Sequence, residues 1–258
     1  MSFRVPSLLL LVFGPIALLL AEPAVELGHV EGRVLSRVEG KKLERVGAAH
    51  VLVAGEALIT GDASRFEIKT SGGIWRVGRR AVFVLSDNNA RLLAGTALLQ
   101  VPSDQVWSVT SRRSVLGVPA GTWLVQAVDN GGFKIVCIDS DQPIQAKGET
   151  SKPLDPAVQL KLRPGELVFL QPGGATFSPI VTIFLEELLA TSRLVGGFPD
   201  ELPGLRRIVN QAVAQRDRLK TLSNAVVVGA TEAGSFQIAV PNPAEKKAEA
   251  AKPSEAKP

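Results

Sequence analysis

The sequence contains a single cysteine, Cys137, no tyrosine, and only two histidines, His29 and His50. A lone thiol has no intramolecular partner, which excludes a disulfide-stapled scaffold and a thiolate zinc cluster. Two histidines leave little from which to build an imidazole-rich metal site. Excess charge of one sign is also scarce. The net charge is +4 over 258 residues, and Arg79-Arg80, Arg112-Arg113 and Arg206-Arg207 are isolated pairs that read as solvated faces. No basic stripe marks a nucleic-acid surface. The nucleophile elbow G-x-S-x-G and the zinc pattern H-E-x-x-H are absent. Thr60-Gly61-Asp62 reverses the aspartic-protease order Asp-Thr-Gly, and Asp139-Ser140-Asp141 opens like a calcium loop but meets Pro143 at a ligand position. His29 and His50 lie in apolar β contexts and read as structural, and Cys137, between Val136 and Ile138, reads as buried and inert. The expectation is a chain with no catalytic residue, no cofactor and no metal.

The N-terminus carries the clearest positive signal. Arg4 is the only charge in residues 1–21, and residues 8–21 are almost entirely apolar. A basic start followed by a short apolar run is the layout of a secretory signal, and Gly14-Pro15 interrupts a run already short for a membrane span. Cleavage is expected after Ala21, the alternative being an uncleaved anchor. The mature chain is then exported to the periplasm or beyond, with no stable membrane span. The other end, residues 241–258, is rich in Ala, Lys, Glu and Pro and has no larger aliphatic residue, a composition that predicts disorder.

Between residues 28 and 171 short runs rich in Val, Ile, Leu, Phe and Trp alternate with turn residues, which predicts a mainly β fold of sandwich, barrel or short-rung solenoid type. Ala97–Val101 and Val106–Thr110 read as separate strands, as do Ser114–Val118 and Thr122–Val128. Turns are expected at Gly55, Gly61-Asp62, Gly72-Gly73, Gly121 and Gly165, with Gly61 in a left-handed conformation that a β-branched residue would not tolerate. Trp75, Trp107 and Trp123 lie inside β runs and read as core rather than as a sugar-stacking platform. The pattern then turns helical. A first helix is expected over 181–194. A second opens near Pro203-Gly204, with Leu205, Ile208, Val209, Ala212, Val213, Leu219 and Leu222 in one stripe. A short β pair is expected at 225–228 and 236–240. The domain organisation reads as a signal over 1–21, a β-domain over 22–178, a helical and short β region over 179–240, and a tail over 241–258.

The stretch GEALITGDASRFEIKTSGGIWRVGRRAVFVL resembles the opening of a FecR-type domain, the periplasmic module of the iron-dicitrate sensor family. The likeness falls on Gly55, Leu58, Gly61, Asp62, Phe66, Ile68, Gly72, Gly73 and Val77. LLAGTALLQVPS, VLGVPAGTWLVQAV and LRPGELVFLQPGG resemble later strands and the closing turn, so the resemblance covers residues 50–171. It implies a β-rich, solenoid-like fold without catalytic residues. Sensor members of that family join a sigma-factor-binding cytoplasmic segment to the periplasmic domain through one membrane helix. Here only residues 1–6 precede the apolar segment, too few for such a segment. The expected function is non-enzymatic binding or assembly in the cell envelope, with an envelope protein or wall component as partner and no nucleic acid. The alternatives are a periplasmic accessory regulator of a signalling or transducer system and, more weakly, a wall or sugar hydrolase. Ile183 and Leu189, apolar beyond what one helix face needs, are candidates for a partner surface or for closing the end of the β-domain.

Overall fold

The computed structural model describes residues 25–86, 88–148, 157–173 and 176–220. Ala21, the β pair expected at 225–228 and 236–240, and the tail lie outside these residues. The fold is mainly β, as the turn rhythm predicts. Fifteen strands form one continuous mixed sheet, followed by helices α1 (Leu185–Thr191), α2 (Arg193–Gly196) and α3 (Leu205–Lys220).

Two long strands organise the sheet: β9 (Thr96–Thr110) and β10 (Ser114–Ala127), antiparallel along most of their length. Each was expected as two short strands, and each belongs to two neighbourhoods. The first part of β9 pairs with β6 (Gly73–Val77), and its second part runs parallel to β8 (Asn89–Ala94). The first part of β10 pairs with β12 (Ile144–Gly148), and its second part with β11 (Phe133–Asp139). One half of the sheet therefore runs β1 (Leu27–Glu31), β5 (Arg65–Thr70), β6, β9, β10, β11, β14 (Glu166–Leu170), β15 (Val181–Thr182). The other runs β3 (Glu44–Val46), β2 (Val34–Arg37), β4 (Ala57–Thr60), β7 (Val82–Ser86), β8, β9, β10, β12, β13 (Val158–Leu160).

The change of neighbourhood coincides with an irregularity. The β9–β10 register shifts between Pro119 and Gly121. Gly121 has φ +131°, and a Cβ there would collide with the Asp139 carbonyl of β11. A bulge with glycine at its tight point lets a strand bend and leave one sheet for another. Gly55, Gly73 and Gly165 also take positive φ, as their turns predict. Gly61 does not. Its φ lies outside the left-handed region, and an added Cβ would meet Ser64 Oγ at 3.2 Å, so space rather than backbone sign limits this position. Gly72 is limited the same way, by the Trp107 ring at 2.8 Å.

The two halves close over the main core. Trp75 of β6 meets Phe83 of β7 and Trp107 of β9 at ring-centroid distances of 5.1 and 5.2 Å. Trp123 is buried with them, its indole N–H donating to the Pro119 carbonyl at 3.0 Å. All three tryptophans are core, each adding a large apolar area. Cys137 is buried in this cluster, and burial pushes its thiol far up.

The first half of the sheet is covered on its other face as well. Leu98, Leu124, Val136 and Leu167 alternate with main-core residues and pack under Leu185, Leu188, Leu194, Phe198 and Ile208. Strand β11, at the middle of this sandwich, is buried along its whole length, as a strand covered on both sides must be. One member of its helix-facing row is Lys134, 7% exposed, opposite Gln126 of β10 and Phe169 of β14. Burial pulls its ammonium down to about 8.

The helix expected over 181–194 is three elements. Val181-Thr182, β-branched, adds a short edge strand to β14, and Ile183 N–H donates to the Gly165 carbonyl at 2.8 Å. Helix α1 follows, and Ser192, with ψ 113°, separates it from α2. On α3 the buried positions are Ile208, Ala212, Gln215 and Leu219, whereas Val209 and Val213 face outward. Gln215 is the reason the stripe turns. Its side-chain oxygen accepts the Leu185 N–H at 2.9 Å and its amide donates to the Ile183 carbonyl at 2.9 Å. Helix α1 has no cap from its own N-cap residue, Phe184, so α3 satisfies a first-turn N–H in its place. Arg216 Nη1 also donates to both Glu186 carboxylate oxygens, at 2.9 and 3.0 Å, and joins the same two helices. No helix of the described residues is long and apolar enough to cross a membrane.

Two stability measurements check this account. Gly121→Val should cost about 2–4 kcal/mol in urea unfolding, from strain plus displacement of β11, while Gly61→Ala should cost less than about 1 kcal/mol; equal losses would mean the bend does not depend on Gly121. For Lys134, the folded group loses its proton near 8 and the unfolded one near 10.5. Between those values the unfolded chain binds more protons, so stability rises with pH across the window. Wild type should gain up to about 3 kcal/mol over Lys134→Met between pH 8 and 10.5; parallel pH profiles would mean the ammonium is not held in a buried site.

Candidate functional site

Beside α1 and α2 lies a cleft of about 850 Å³. Five chain segments line it: 62–65, 78–80, 94–96, 124–129 and 188–194. Its rim is stitched by backbone and hydroxyl contacts. Thr60 Oγ1 donates to the Gly78 carbonyl and accepts the Ala81 N–H, both at 2.7 Å, which fixes the turn carrying Arg79 and Arg80. Ser64 Oγ accepts the Arg33 N–H at 2.8 Å and fixes the neighbouring turn. Gly78 N–H reaches the Thr96 carbonyl at 2.9 Å, and Ala127 N–H the Gly95 carbonyl at 3.0 Å. Arg80 itself has φ +50°, a conformation uncommon outside glycine and one that collects at binding sites.

The cleft has an apolar interior and a charged rim. Leu124, Leu188, Leu194, Ala94 and Ala127 supply the first. Arg65, Arg79, Arg80 and Arg193 supply the second, against the carboxylates of Asp62 and Asp129. Asp62 pairs with Arg80, whose hydrogen bond and charge hold its carboxyl below the usual range. Arg65 pairs with Glu31 through Nη2, yet its buried Nε has no hydrogen-bond partner. Arg193, at the start of α2, is exposed and makes no ion pair among the described residues.

The wall formed by α2 is held by a buried ion pair. Arg76 of β6 and Glu67 of β5 stand opposite each other across the hairpin, on the face away from Trp75. Arg76 is 0% exposed and Glu67 2%, with Nε to Oε2 at 2.7 Å. The remaining guanidinium donors reach main-chain carbonyls of the strap that follows α1. Nη1 donates to Val195 at 2.8 Å and Leu194 at 3.4 Å, and Nη2 to Asp200 at 2.5 Å. The Phe198 ring lies 4.6 Å from the Arg76 guanidinium, with Arg65 at 5.6 Å and the His29 ring at 5.5 Å. These are cation–π and edge contacts that anchor the strap.

His50 is held elsewhere, beside a pocket of about 110 Å³. Its Nε2 lies 2.7 Å from Glu56 Oε1, while Glu56 Oε2 accepts the Val53 N–H at 2.9 Å. Burial pushes Glu56 up, but hydrogen bonds from Ser36, Val53 and His50 more than reverse this and leave it below its ordinary value. In a nucleophilic triad the imidazole stands between hydroxyl and carboxylate. Here the carboxylate stands between Ser36 and His50, so the cluster staples a loop. No group of three or more His, Cys, Asp or Glu among the described residues is arranged to hold a metal ion.

Of the residues singled out in the sequence, Asp62 and the Arg79-Arg80 pair line the cleft. Gly61 and Asp62 share its rim turn, and Gly55, Gly72, Gly73, Gly121 and Gly165 serve turns or strands away from it. Ile183 is 8% exposed and Leu189 is partly buried, both against the helix-side core. Of the cleft arginines, Arg79-Arg80 read as a solvated pair and Arg65 and Arg193 were not singled out, because five distant segments must meet before they share a site. The ion pair had a local signal: in a hairpin turning at Ser71-Gly72, Glu67 falls opposite Arg76, both on the face away from Phe66, Ile68 and Trp75.

No family model matches this chain, and no curated protein matches it. Among solved structures it is similar to two crystal structures of a candidate anti-sigma factor from Parabacteroides distasonis ATCC 8503. One has 10% identity and a TM-score of 0.39, over 52% of this chain and 63% of that one. The other has 11% identity and a TM-score of 0.40, over 54% and 64%. The similarity thus spans less than two thirds of those chains, and at this level their function does not transfer.

Removing the Arg76 guanidinium strands Glu67 in a dry site. Arg76→Met should cost about 3–5 kcal/mol and raise amide exchange across 193–200 above that of α3. Unchanged exchange in the strap would show that Arg76 does not hold it.

Proposed function

We propose that this chain is an exported, FecR-like binding module of the cell envelope that works by contact rather than turnover, with the cleft beside α1 and α2 as its contact site. The observation that carries this reading is the cleft itself: guanidinium, hydroxyl and aliphatic groups from five segments converge on one concave surface. Such convergence is the usual form of a binding site. Its rim is fixed by hydrogen bonds to Thr60 and Ser64, so the surface is preorganised. Preorganisation lowers the ordering cost of association. Export rests on the N-terminal segment, with the mature chain starting after Ala21 in the periplasm or outside the cell. The partner is an envelope protein or a wall component.

The test is sedimentation of the exported protein with isolated envelope and with purified wall sacculi, alongside its N-terminal sequence. The expected result is an N-terminus near Glu22 and saturable binding to one fraction. Thr191→Trp, at the exposed cleft wall, should keep the native circular dichroism and weaken binding at least about tenfold. Undiminished binding by Thr191→Trp would place the contact elsewhere, and turnover of wall fragments by purified protein would overturn the non-enzymatic reading.

A further inference from the structure

One half of the sheet ends on an open edge at β15. Ile183 N–H donates to the Gly165 carbonyl at 2.8 Å, and Val181 stands opposite Leu167 of β14. In an antiparallel ladder the residue between two such bonded positions turns its N–H and carbonyl to the other side. Thr182 therefore presents both groups to the outer side, where no described strand lies. Ile180, 45% exposed, leaves an apolar side chain at the same edge. A bare edge templates pairing with another chain, and proteins cover it or charge it. At the β1 edge residues 49–52 provide cover, bonding to Val25 and Leu27, and edge strand β3 carries the exposed charges Glu44 and Arg45. Residues 180–182 have no charge, and no described strand covers them.

Helix α3 delivers the chain to this edge. Pro203, just before it, accepts a bond from Gln100 of β9 at 2.7 Å, Arg207 pairs with Asp139 at the end of β11, and Gln215 reaches the Ile183 carbonyl at 2.9 Å. The helix thus crosses from β9 past β11 to β15. Its last residue, Lys220, stands about 8 Å beyond Gln215 on the same line. Five extended residues span about 17 Å, enough for Ala225 to return to β15. Residues 225–228 read AVVV, uncharged and β-branched, the composition of a strand that packs on apolar neighbours. Residues 236–240, FQIAV, follow after a connection that holds Gly229 and Gly234.

We propose that residues 225–228 add to the outer edge of β15 as an antiparallel strand, with 236–240 folded back beside them, so that the segment following α3 closes the sheet. The strand enters at the Ile183 end, where α3 arrives, and runs towards Ile180, opposite in direction to β15. It bonds the outward N–H and carbonyl of Thr182 and covers the Ile180 side chain. This is the strand addition by which extended peptides are bound, made here within one chain. It is independent of the cleft and of what the cleft contacts.

The experiment is amide hydrogen exchange of the purified full chain, compared with a chain ending at Ser223 and with the full chain carrying Val226→Pro and Val227→Pro, which blocks strand pairing without shortening the protein. Exchange at Thr182 should be at least about tenfold faster in both variants than in wild type, while the amides of Ile208 and Ala212 in α3 keep their wild-type rates. The proline variant carries the test if the shortened chain does not fold. In a second measurement, Thr182→Cys combined with Val226→Cys or Val227→Cys should close an intramolecular disulfide at least about tenfold faster than Thr182→Cys combined with Ser254→Cys, because only paired strands hold the Cα atoms within disulfide range. Wild-type exchange at Thr182 in the proline variant overturns the proposal. So does protection of Thr182 that is lost on dilution together with a halving of native mass, which places a second copy on the edge. Equal disulfide rates for all three cysteine pairs also overturn it.

Discussion

A guanidinium with no exposed surface must find partners for its donors inside the protein. Arg76 finds them in one carboxylate, Glu67, and three carbonyls of residues 194–200. The arrangement ties a sheet to α2 and the irregular segment that follows it. Such a strap has few main-chain bonds to order it, and here the sheet supplies them. The same contacts place Leu194, Val195 and Phe198 over the strands, where they complete the helix-side core. The apolar cover and the polar latch are therefore one packing solution: the apolar side chains exclude water, and its exclusion strengthens the charged hydrogen bonds beneath them.

The second polar fastening, Gln215, works on the other side of the helical layer. It satisfies the first N–H of α1 and the carbonyl of Ile183, two residues earlier. Between Arg76 and Gln215 the segment 183–200 is held at both ends, and residues 188–194, the helical wall of the cleft, lie between these fastenings. The opposite wall is a set of turns pinned by Thr60 and Ser64. The cleft is thus a gap between two independently fixed surfaces.

Much of the fold was legible in the sequence. Alternating runs and Gly-rich turns placed the strands, the tryptophans read as core, and the second helix began where Pro203-Gly204 said it would. Alternation could not show that two pairs of short runs are single strands, because the break at Pro102 looks like a turn, and so does the break at Pro119–Gly121. It takes the neighbours on both sides to make these breaks bends. Val181-Thr182 joined a helical stripe by spacing alone, and only the edge of β14 makes them a strand. The cleft was illegible for a plainer reason: Asp62, Arg79, Asp129 and Arg193 are far apart in sequence, and no local pattern joins them. Ile183 and Leu189 looked surplus because the apolar sheet face they cover was invisible from their own segment.

The latch also orders events in time. Arg76 bonds to residues 118, 119 and 124 positions further along the chain. While the protein is still emerging from the ribosome, the β5–β6 hairpin can form with Glu67 and Arg76 paired. Until Asp200 arrives, the pair and the row of Leu98, Leu124 and Val136 face water. Contacts of such long sequence separation form late and slowly, and an incomplete chain shows the apolar surface that invites association. A chain released before residue 193 would hold every described strand and still lack Leu194, Val195, Phe198 and Ile208 from the cover of its helix side. Completion of folding therefore belongs to the last described helices rather than to the strands that make up most of the molecule.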